Sequence, residues 1–379
     1  MFALVFCSLT LPVFAEQTEL LQDTVTTVKA EVREVLTQET KNVPGTDVTS
    51  LYQTLSVKIL EGEEAGRIIT LENDYAKLEV GDVFYLRHTI RAADASEYYS
   101  VDEPYRLPAL LFFTILFVVL VLAVGGLQGI RGLLSLVGSV LVILYVLLPA
   151  FLAGFSPILV SILVSSCIIV IGSYITHGFN KTTSSAVLGM IVTVIITGIL
   201  AMVAVNATQL TGFGSEEAVY LNLNVRGTID ILGILLGGIM IGLLGVLYDV
   251  AIGQAISVEE LHQIAPHVSR RKIYTRAIRI GREHIGALVN TLAIAYVGAS
   301  LPLLLLFSQS DSSILMILNR EIFATEIIRI LIGSSGLVLA VPITTLLAVL
   351  MLVKVKKAKD ESDGVVKNEE EVLAHFHHH

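Results

Sequence analysis

Polar side chains stand at the ends of, and inside, two long apolar runs in the second half of the chain. The first run ends at Asp249, and the second begins at Glu283-His284 and contains Asn290-Thr291. A charged or amide side chain in a membrane-length apolar run costs free energy unless water or a protein partner solvates it, so such residues usually mark functional positions. This stretch is therefore the candidate functional site.

The types of these side chains suggest roles but leave alternatives open. Asp249 is compatible with a water-exposed cap at the membrane interface and equally with a buried acid paired with a cation. Asn290 and Thr291 need partners, either a neighbouring helix, which is the common case, or a solvated cavity. Arg279 and Glu283 have the spacing of an i,i+4 ion pair. The predicted substrate or ion path comprises Asp249, Gln254, Glu283, Asn290 and Thr291, and the predicted gating or anion contacts are Arg279, Arg282 and His284.

Three glycines precede Asp249 on the same helical face. Gly238, Gly242 and Gly245 are spaced four and three residues apart, and Asp249 follows four residues later. Glycines at this spacing allow a neighbouring helix to approach closely. The pattern predicts that this face packs against protein.

A basic segment joins the two apolar runs, with six Arg or Lys residues between 270 and 282. The residues after Asp249 are compatible with a continuation of the preceding helix, and Ser257 followed by Glu260 is a candidate start of a short cytoplasmic helix by a capping box. Pro266 ends that helix, and Ser269 is a second candidate N-cap. The segment after Ser269 has apolar residues on one face and arginines on others. This pattern is typical of an amphipathic helix that lies along the inner membrane surface.

The composition indicates an integral membrane protein of the helical type. The 379 residues are 54% hydrophobic and 16% charged, with a mean hydropathy of +0.76, whereas soluble proteins carry about 25% charged residues. Several apolar runs reach the roughly 20 residues that a helix needs to cross a bilayer. The sequence contains no zinc-protease, serine-hydrolase or phosphate-loop motif. It therefore predicts no enzyme activity, no cofactor, no metal and no nucleic-acid partner.

Seven predicted spans organise the region 106–355. They lie at about 108–127, 133–153, 157–175, 184–204, 229–248, 284–307 and 326–353, with an amphipathic cytoplasmic loop at 249–283. Lys and Arg concentrate in alternate loops, and such loops stay in the cytoplasm. The bias predicts a multi-pass protein of the cell membrane with an extracytoplasmic N-terminal domain and a cytoplasmic C-terminus.

The regions outside the spans differ in character. Residues 1–15 have the pattern of a signal peptide or short N-terminal anchor. Residues 16–105 hold 18 acidic and 8 basic residues and short alternating apolar runs between turn residues. They predict a small extracytoplasmic all-β domain, an OB- or SH3-like barrel or a sandwich. Residues 356–379 form a charged tail that is predicted to be disordered. Cys7 and Cys167 both lie in apolar runs and imply no disulfide framework.

Two sequence blocks carry a family resemblance, GGIMIGLLGVLYDVAIGQAISVEEL and IGREHIGALVNTLAIAYVGASLPLLLL, supported by LSVKILEGEEAGRIITLEND and LVLAVGGLQGIRGLLSL. With these blocks the chain resembles the YibE/F-like family of bacterial multi-pass membrane proteins. In that family an acid often follows Gly-Arg at the start of the later helix, matched here by Glu283, and another acid matches Asp249. The resemblance implies a polytopic membrane fold, and it leaves the activity open because the family is largely uncharacterised.

Three classes of function are compatible with these features. The leading hypothesis is a transporter or permease component for a small solute or ion, with a cytoplasm-facing polar cavity between the fifth and sixth spans. Its partners would be the lipid bilayer and a second membrane subunit, a second copy or a separate ATPase. The alternative is a membrane receptor or assembly factor whose β domain binds a partner. An enzyme is the least supported class.

Overall fold

The computed structural model describes residues 23–42, 45, 49–224 and 229–353. The chain divides into two compact units, Met1–Val119 and Leu120–His379. The signal peptide or anchor predicted at 1–15 and the tail predicted at 356–379 lie outside the described residues.

The N-terminal unit contains one five-stranded antiparallel sheet. Its strands are β1 (Thr24–Asn42), β2 (Thr49–Ile59), β3 (Ile68–Asn73), β4 (Val83–Ile90) and β5 (Glu97–Pro104), in the order β3-β2-β1-β4-β5. The long β1 pairs with β4 through its first half and with β2 through its second half, with register shifts where bulges bend the strand. The predicted all-β domain is confirmed as this half-barrel sheet.

The core of the sheet follows the alternation that the sequence predicts for half-buried strands. Every second residue is buried in β2 from Gln53 onward and throughout β3, and Leu55, Val57, Phe84 and Leu86 are fully buried. One face of the sheet therefore forms its own apolar core.

The rest of the described chain is helical. The helices are α1 (Leu107–Val142), a π-helical turn (Ile143–Leu147), α2 (Leu148–Leu152), α3 (Pro157–His177), α4 (Lys181–Ala207), α5 (Glu216–Asn224), α6 (Ile231–Ile264), α7 (Arg270–Ala299), α8 (Leu301–Ser308), α9 (Ile314–Leu318) and α10 (Glu321–Leu352). Five elements are long and apolar enough to cross a membrane, or six if the bent pair α7–α8 counts as one span. This supports a polytopic membrane protein with fewer clear spans than the seven predicted.

One difference concerns the first two predicted spans. They form one helical element, Leu107–Leu152, interrupted at Gly126, whose φ is 52° and ψ is −135°. A methyl group at Gly129 would lie 2.6 Å from the carbonyl oxygen of Val121, although eight residues of straight helix extend about 12 Å. The helix therefore turns sharply at Gly126, where glycine tolerates a positive φ.

The second difference concerns the sixth predicted span. Its apolar run, 284–307, covers the end of α7 and all of α8, and these two helices meet at 63°. Pro302 lies in the first turn of α8, where its missing N–H costs nothing. A hydropathy profile averages over both helices and cannot register the bend.

The region predicted as a cytoplasmic loop, 249–283, is mostly helical. Helix α6 runs unbroken past Asp249 to Ile264. The helix start predicted at Ser257 is wrong, because the Ser257 hydroxyl donates to the Gly253 carbonyl at 2.8 Å inside the helix. Helix α7 begins directly after Ser269, at the predicted position, although the Ser269 side chain makes no capping hydrogen bond.

The apolar stripe in the first half of α7 packs on protein. Ile273, Ala277 and Gly281 are buried, with Ile273 and Ala277 in the same core cluster as residues of α6 and α10. The Arg270 side chain donates from Nε to the Val353 carbonyl after α10, at 2.9 Å. The stripe predicted to lie on the inner membrane surface therefore holds α7 against α6 and α10.

Small residues let α10 pack closely against α4. A methyl group at Gly189 would lie 2.9 Å from Thr344 Cα, and one at Gly336 would lie 2.8 Å from Thr197 Oγ1. From Gly189 to Thr197 the chain advances eight residues along α4, whereas their partners on α10, Thr344 and Gly336, go back by eight residues. The two helices therefore run antiparallel. This contact sets the position of α10, and α6 and α7 also pack against α10.

Candidate functional site

A cavity of about 290 Å³, lined by both polar and apolar residues, lies where α6, α7 and α10 meet. Its lining residues are Asp249, Val250, Gly253, Gln254, Ser257, Gly281, His284, Leu288 and Val341. Three predicted site residues, Asp249, Gln254 and His284, therefore lie around one space. We call it the inner cavity.

Helix α6 supplies most of the polar lining, because Asp249, Gly253 and Ser257 recur every four residues on one face. Asp249 is exposed, whereas only 4% of the Gln254 surface is accessible. The Thr345 hydroxyl on α10 lies 2.6 Å from the Val341 carbonyl of its own helix and 2.8 Å from the side-chain amide of Gln254. This contact joins the buried amide to α10 beside the cavity.

Gly281 permits α7 to come close enough to complete the cavity. A methyl group there would lie 2.6 Å from Gln254 Nε2 and 2.6 Å from Val341 Cγ1. A larger residue would displace the side chains of Gln254 and Val341. The close approach at Gly281 also places His284, one turn later, on the cavity wall.

The other predicted path and gating residues lie elsewhere on α7. Arg279, Arg282, Glu283, Asn290 and Thr291 are all exposed and are not part of the inner cavity lining. Among the described residues no ion pair joins Arg279 and Glu283. The Thr291 hydroxyl donates to the Ala287 carbonyl of its own helix at 2.9 Å, so it needs no further partner.

The three predicted packing glycines of α6 have different surroundings. A methyl group at Gly242 would lie 2.5 Å from the Tyr296 hydroxyl oxygen, whereas methyl groups at Gly238 and Gly245 would meet no atom within 4 Å. Close packing on α6 is found instead at Gly237, where a methyl group would lie 2.5 Å from Ser161 Oγ. The face of α6 that packs closely therefore contains Gly237, whereas the predicted face contains its neighbour Gly238.

Sequence reasoning missed the residues that α10 contributes. Thr345 and Val341 belong to an apolar run in which no charged residue draws attention, and Leu288 is an ordinary apolar residue. The pair Thr344-Thr345 inside that run was the available signal, because hydroxyls within spans usually bond to their own helix or to a neighbour.

The inner cavity combines a carboxylate, an imidazole and a buried amide. Such a set can bind a proton, a small cation or a small polar solute. Within the described ranges, no group of three or more His, Cys, Asp or Glu side chains has the geometry to hold a metal ion.

Comparison with protein families identifies the helical region. The family model described as YibE/F-like protein matches residues 113–354. The chain belongs to the YibE/F-like family. The match covers more than half of the chain, including the inner cavity and every helix from α3 to α10, so the site lies in the part of the chain that defines the family. The β-sheet unit precedes the matched segment. Comparisons with curated proteins and with solved structures give no match.

Proposed function

We propose that this YibE/F-like protein transports a small cation, the proton included, along the face shared by α6 and α7. The observation that carries the proposal is the inner cavity itself, in which the Asp249 carboxylate faces open space between membrane-length helices. Acidic side chains in membrane spans commonly mark ion and proton paths. The arrangement thus supports a transporter or permease component, with Asp249 as its ion-binding group.

The surroundings of Asp249 suit a hydrated path better than a sealed ion pair. Asp249 is exposed, and among the described residues it takes part in no ion pair. His284 and Gln254 supply further polar groups around the same space. A cation entering the cavity would therefore meet one carboxylate and polar ligands that can replace part of its water shell.

The test is an ion-flux measurement in proteoliposomes that enclose a pH- or ion-sensitive dye, under imposed proton, sodium or potassium gradients. We expect the wild-type chain to dissipate at least one gradient and Asp249→Asn to slow that flux by about tenfold or more, equivalent to at least ~1.4 kcal/mol. Asn290→Ala is the matched control, because Asn290 is polar, lies on α7 and does not line the inner cavity. Its flux should remain within about twofold of wild type.

Two results would refute the proposal. One is a flux no faster than that of protein-free liposomes for all three cations. The other is an unchanged flux in Asp249→Asn. If Asn290→Ala were the variant that failed while Asp249→Asn transported normally, the path would lie on the outer face of α7 instead.

We further propose the finer architecture that accompanies this function. Seven crossings result if the chain reverses at Gly126 and if α7 with α8 forms one broken span, with the N-terminal unit outside and the C-terminus in the cytoplasm. For the N-terminal sheet we propose an OB-type barrel. The two edge strands of the sheet are β3 and β5, and the Tyr99 hydroxyl of β5 donates to Glu64, just before β3, at 3.0 Å. This contact brings the two edges together, as closure of a barrel requires. Labelling of single cysteines placed in successive loops tests the crossings, and reactivity at 128–132 from the side opposite the cytoplasm would contradict them.

A further inference from the structure

A second polar cavity borders the other end of the same α6 face. It has a volume of about 310 Å³, and its polar lining includes Ser215, Glu217, Thr325, Glu326 and Arg329, with Gly238 as its deepest contribution from α6. We call it the outer cavity.

The outer cavity contains charge within the helical bundle. Arg329 Nη1 donates to Glu326 Oε1 at 2.7 Å, and the two side chains are 28% and 23% exposed. Thr325 is 7% exposed, and its hydroxyl has no hydrogen-bond partner among the described residues. Buried polar groups of this kind require water or a ligand to satisfy them, so the cavity has the character of a solvated site.

One side chain lies between the two cavities. Gly238 lines the outer cavity and Asp249 lines the inner cavity, eleven residues or about 16 Å apart along α6. Gly242 lies between them on the same face, and there the Tyr296 hydroxyl comes so close that a methyl group on the glycine would lie 2.5 Å from it. Tyr296 of α7 thus covers α6 between the two polar spaces.

Arg329 connects this tyrosine to the outer cavity. Its guanidinium carbon lies 5.8 Å from the centre of the Tyr296 ring, within the range of a cation–π contact. The same guanidinium is bonded to Glu326. A cation that bound Glu326 would compete with Arg329 for this carboxylate. Because Arg329 also contacts the Tyr296 ring, such a cation would affect the position of Tyr296.

We propose that the outer cavity is the opposite end of the path that begins at Asp249, and that Tyr296, seated on Gly242, is its closed gate. This inference rests on the proposed function. The two carboxylates of the outer cavity, Glu217 and Glu326, make a small cation the ligand that fits it. Gly242 is required because only a residue without a side chain leaves room for the tyrosine hydroxyl.

The test measures water access directly and needs no knowledge of the transported ion. In a full-length chain with Cys7 and Cys167 replaced by Ala, cysteine is introduced at Gly238 or at Gly253, where a side chain meets no atom within 4 Å. Membrane-impermeant thiol reagents are then applied to either side of oriented vesicles. With Tyr296 intact, Gly238→Cys should react from one side only and Gly253→Cys from the other side only.

Removing the ring should open the path. In Tyr296→Ala, the reagent applied on the Gly238 side should label Gly253→Cys at least about tenfold faster than when Tyr296 is intact. Tyr296→Phe keeps the ring and should change this labelling rate by about twofold at most. Unchanged labelling of Gly238→Cys from its own side shows that Tyr296→Ala is folded. Gly242→Ala provides a second variant, because its methyl group displaces the hydroxyl without removing it.

The gate is refuted if both cysteines react from both sides while Tyr296 is intact. It is also refuted if Gly238→Cys reacts from neither side, or if neither Tyr296→Ala nor Gly242→Ala changes access to Gly253→Cys. These outcomes are distinct from failure of the transport proposal. One-sided labelling together with absent cation flux would leave the barrier standing and refute only the transported ion.

Discussion

Substituting Gly189 by Ala should separate two helices that the bundle needs in contact. The added methyl group would lie 2.9 Å from both Cα and Cβ of Thr344 on α10, about 1 Å closer than carbon atoms normally pack. A backbone atom cannot move aside as a flexible side chain does, so α10 itself must shift.

The size of the effect follows from two opposing contributions. Ala is favoured over Gly inside a helix by about 1 kcal/mol, and overpacking a close contact costs up to ~3 kcal/mol. The expected result is a net loss of about 2 kcal/mol in the free energy of unfolding. Gly238→Ala is the matched control, because its methyl group meets no atom within 4 Å; it should be neutral or stabilising by up to ~1 kcal/mol.

The assay is denaturation of the detergent-solubilised chain by a titrated anionic detergent, followed by far-ultraviolet circular dichroism because the chain has no tryptophan. Thr344→Gly in the Gly189→Ala background should restore part of the loss, since it removes the Cβ and hydroxyl that the methyl group meets. Equal stability of Gly189→Ala and Gly238→Ala would show that α4 and α10 do not pack as described.

Three further substitutions test the polar contacts. Thr345→Val should cost about 1–3 kcal/mol in unfolding free energy, because it removes the hydroxyl that contacts the buried Gln254 amide at 2.8 Å; an unchanged denaturation curve would contradict this. Gln53→Leu should lower the resistance of the β-sheet unit to proteolysis in the full chain, since Gln53, 2% exposed, bonds both the N–H and the carbonyl of Leu78 at 3.0 and 2.9 Å. Burial, reinforced by hydrogen bonds to two glutamates, raises the pKa of Tyr99 to about 12. Its protonated form therefore stabilises the fold fully below pH ~10 and loses that contribution as the pH rises towards 12. The tyrosinate absorbance difference between wild type and Tyr99→Phe should have its midpoint near 12, and a midpoint near 10 would exclude the burial of this hydroxyl.

Features that depend on local pattern were predictable from the sequence. Alternating burial in β2 and β3 follows from alternating apolar residues, and the start of α7 follows from Ser269. Asp249, Gln254 and His284 line one cavity, whereas Glu283, Asn290 and Thr291, which were predicted for the same path, do not line it. Each of these inferences needed only residues close in sequence or a short connection between two helices.

Helix boundaries within charged segments could not be obtained in the same way. The basic residues between 270 and 282 lower the local hydropathy, so the first half of α7 was separated from its second half. Ser257 has the capping-box pattern, but its hydroxyl bonds to the preceding turn, an alternative that serine has inside any helix. Beyond Asp249, the α6 residues Ala251, Ala255 and Val258 are buried in one apolar cluster with residues of α10, and this contact joins segments that are far apart in the sequence.

The glycines of α6 show why spacing alone does not identify a packed face. Both Gly233-Gly237 and Gly238-Gly242-Gly245 have the spacing of close helix contacts, and the two sets lie on adjacent faces of one helix. Neighbouring helices decide between them: Ser161 of α3 occupies the space beside Gly237, whereas Gly238 is left open beside a cavity that contains Arg329. Gly242 is covered by Tyr296 of α7, and Gly245 lines a separate cavity bounded by residues of α1 and α3. Three glycines at one helical spacing therefore have three different surroundings, and only Gly238 and Gly242 border the proposed path.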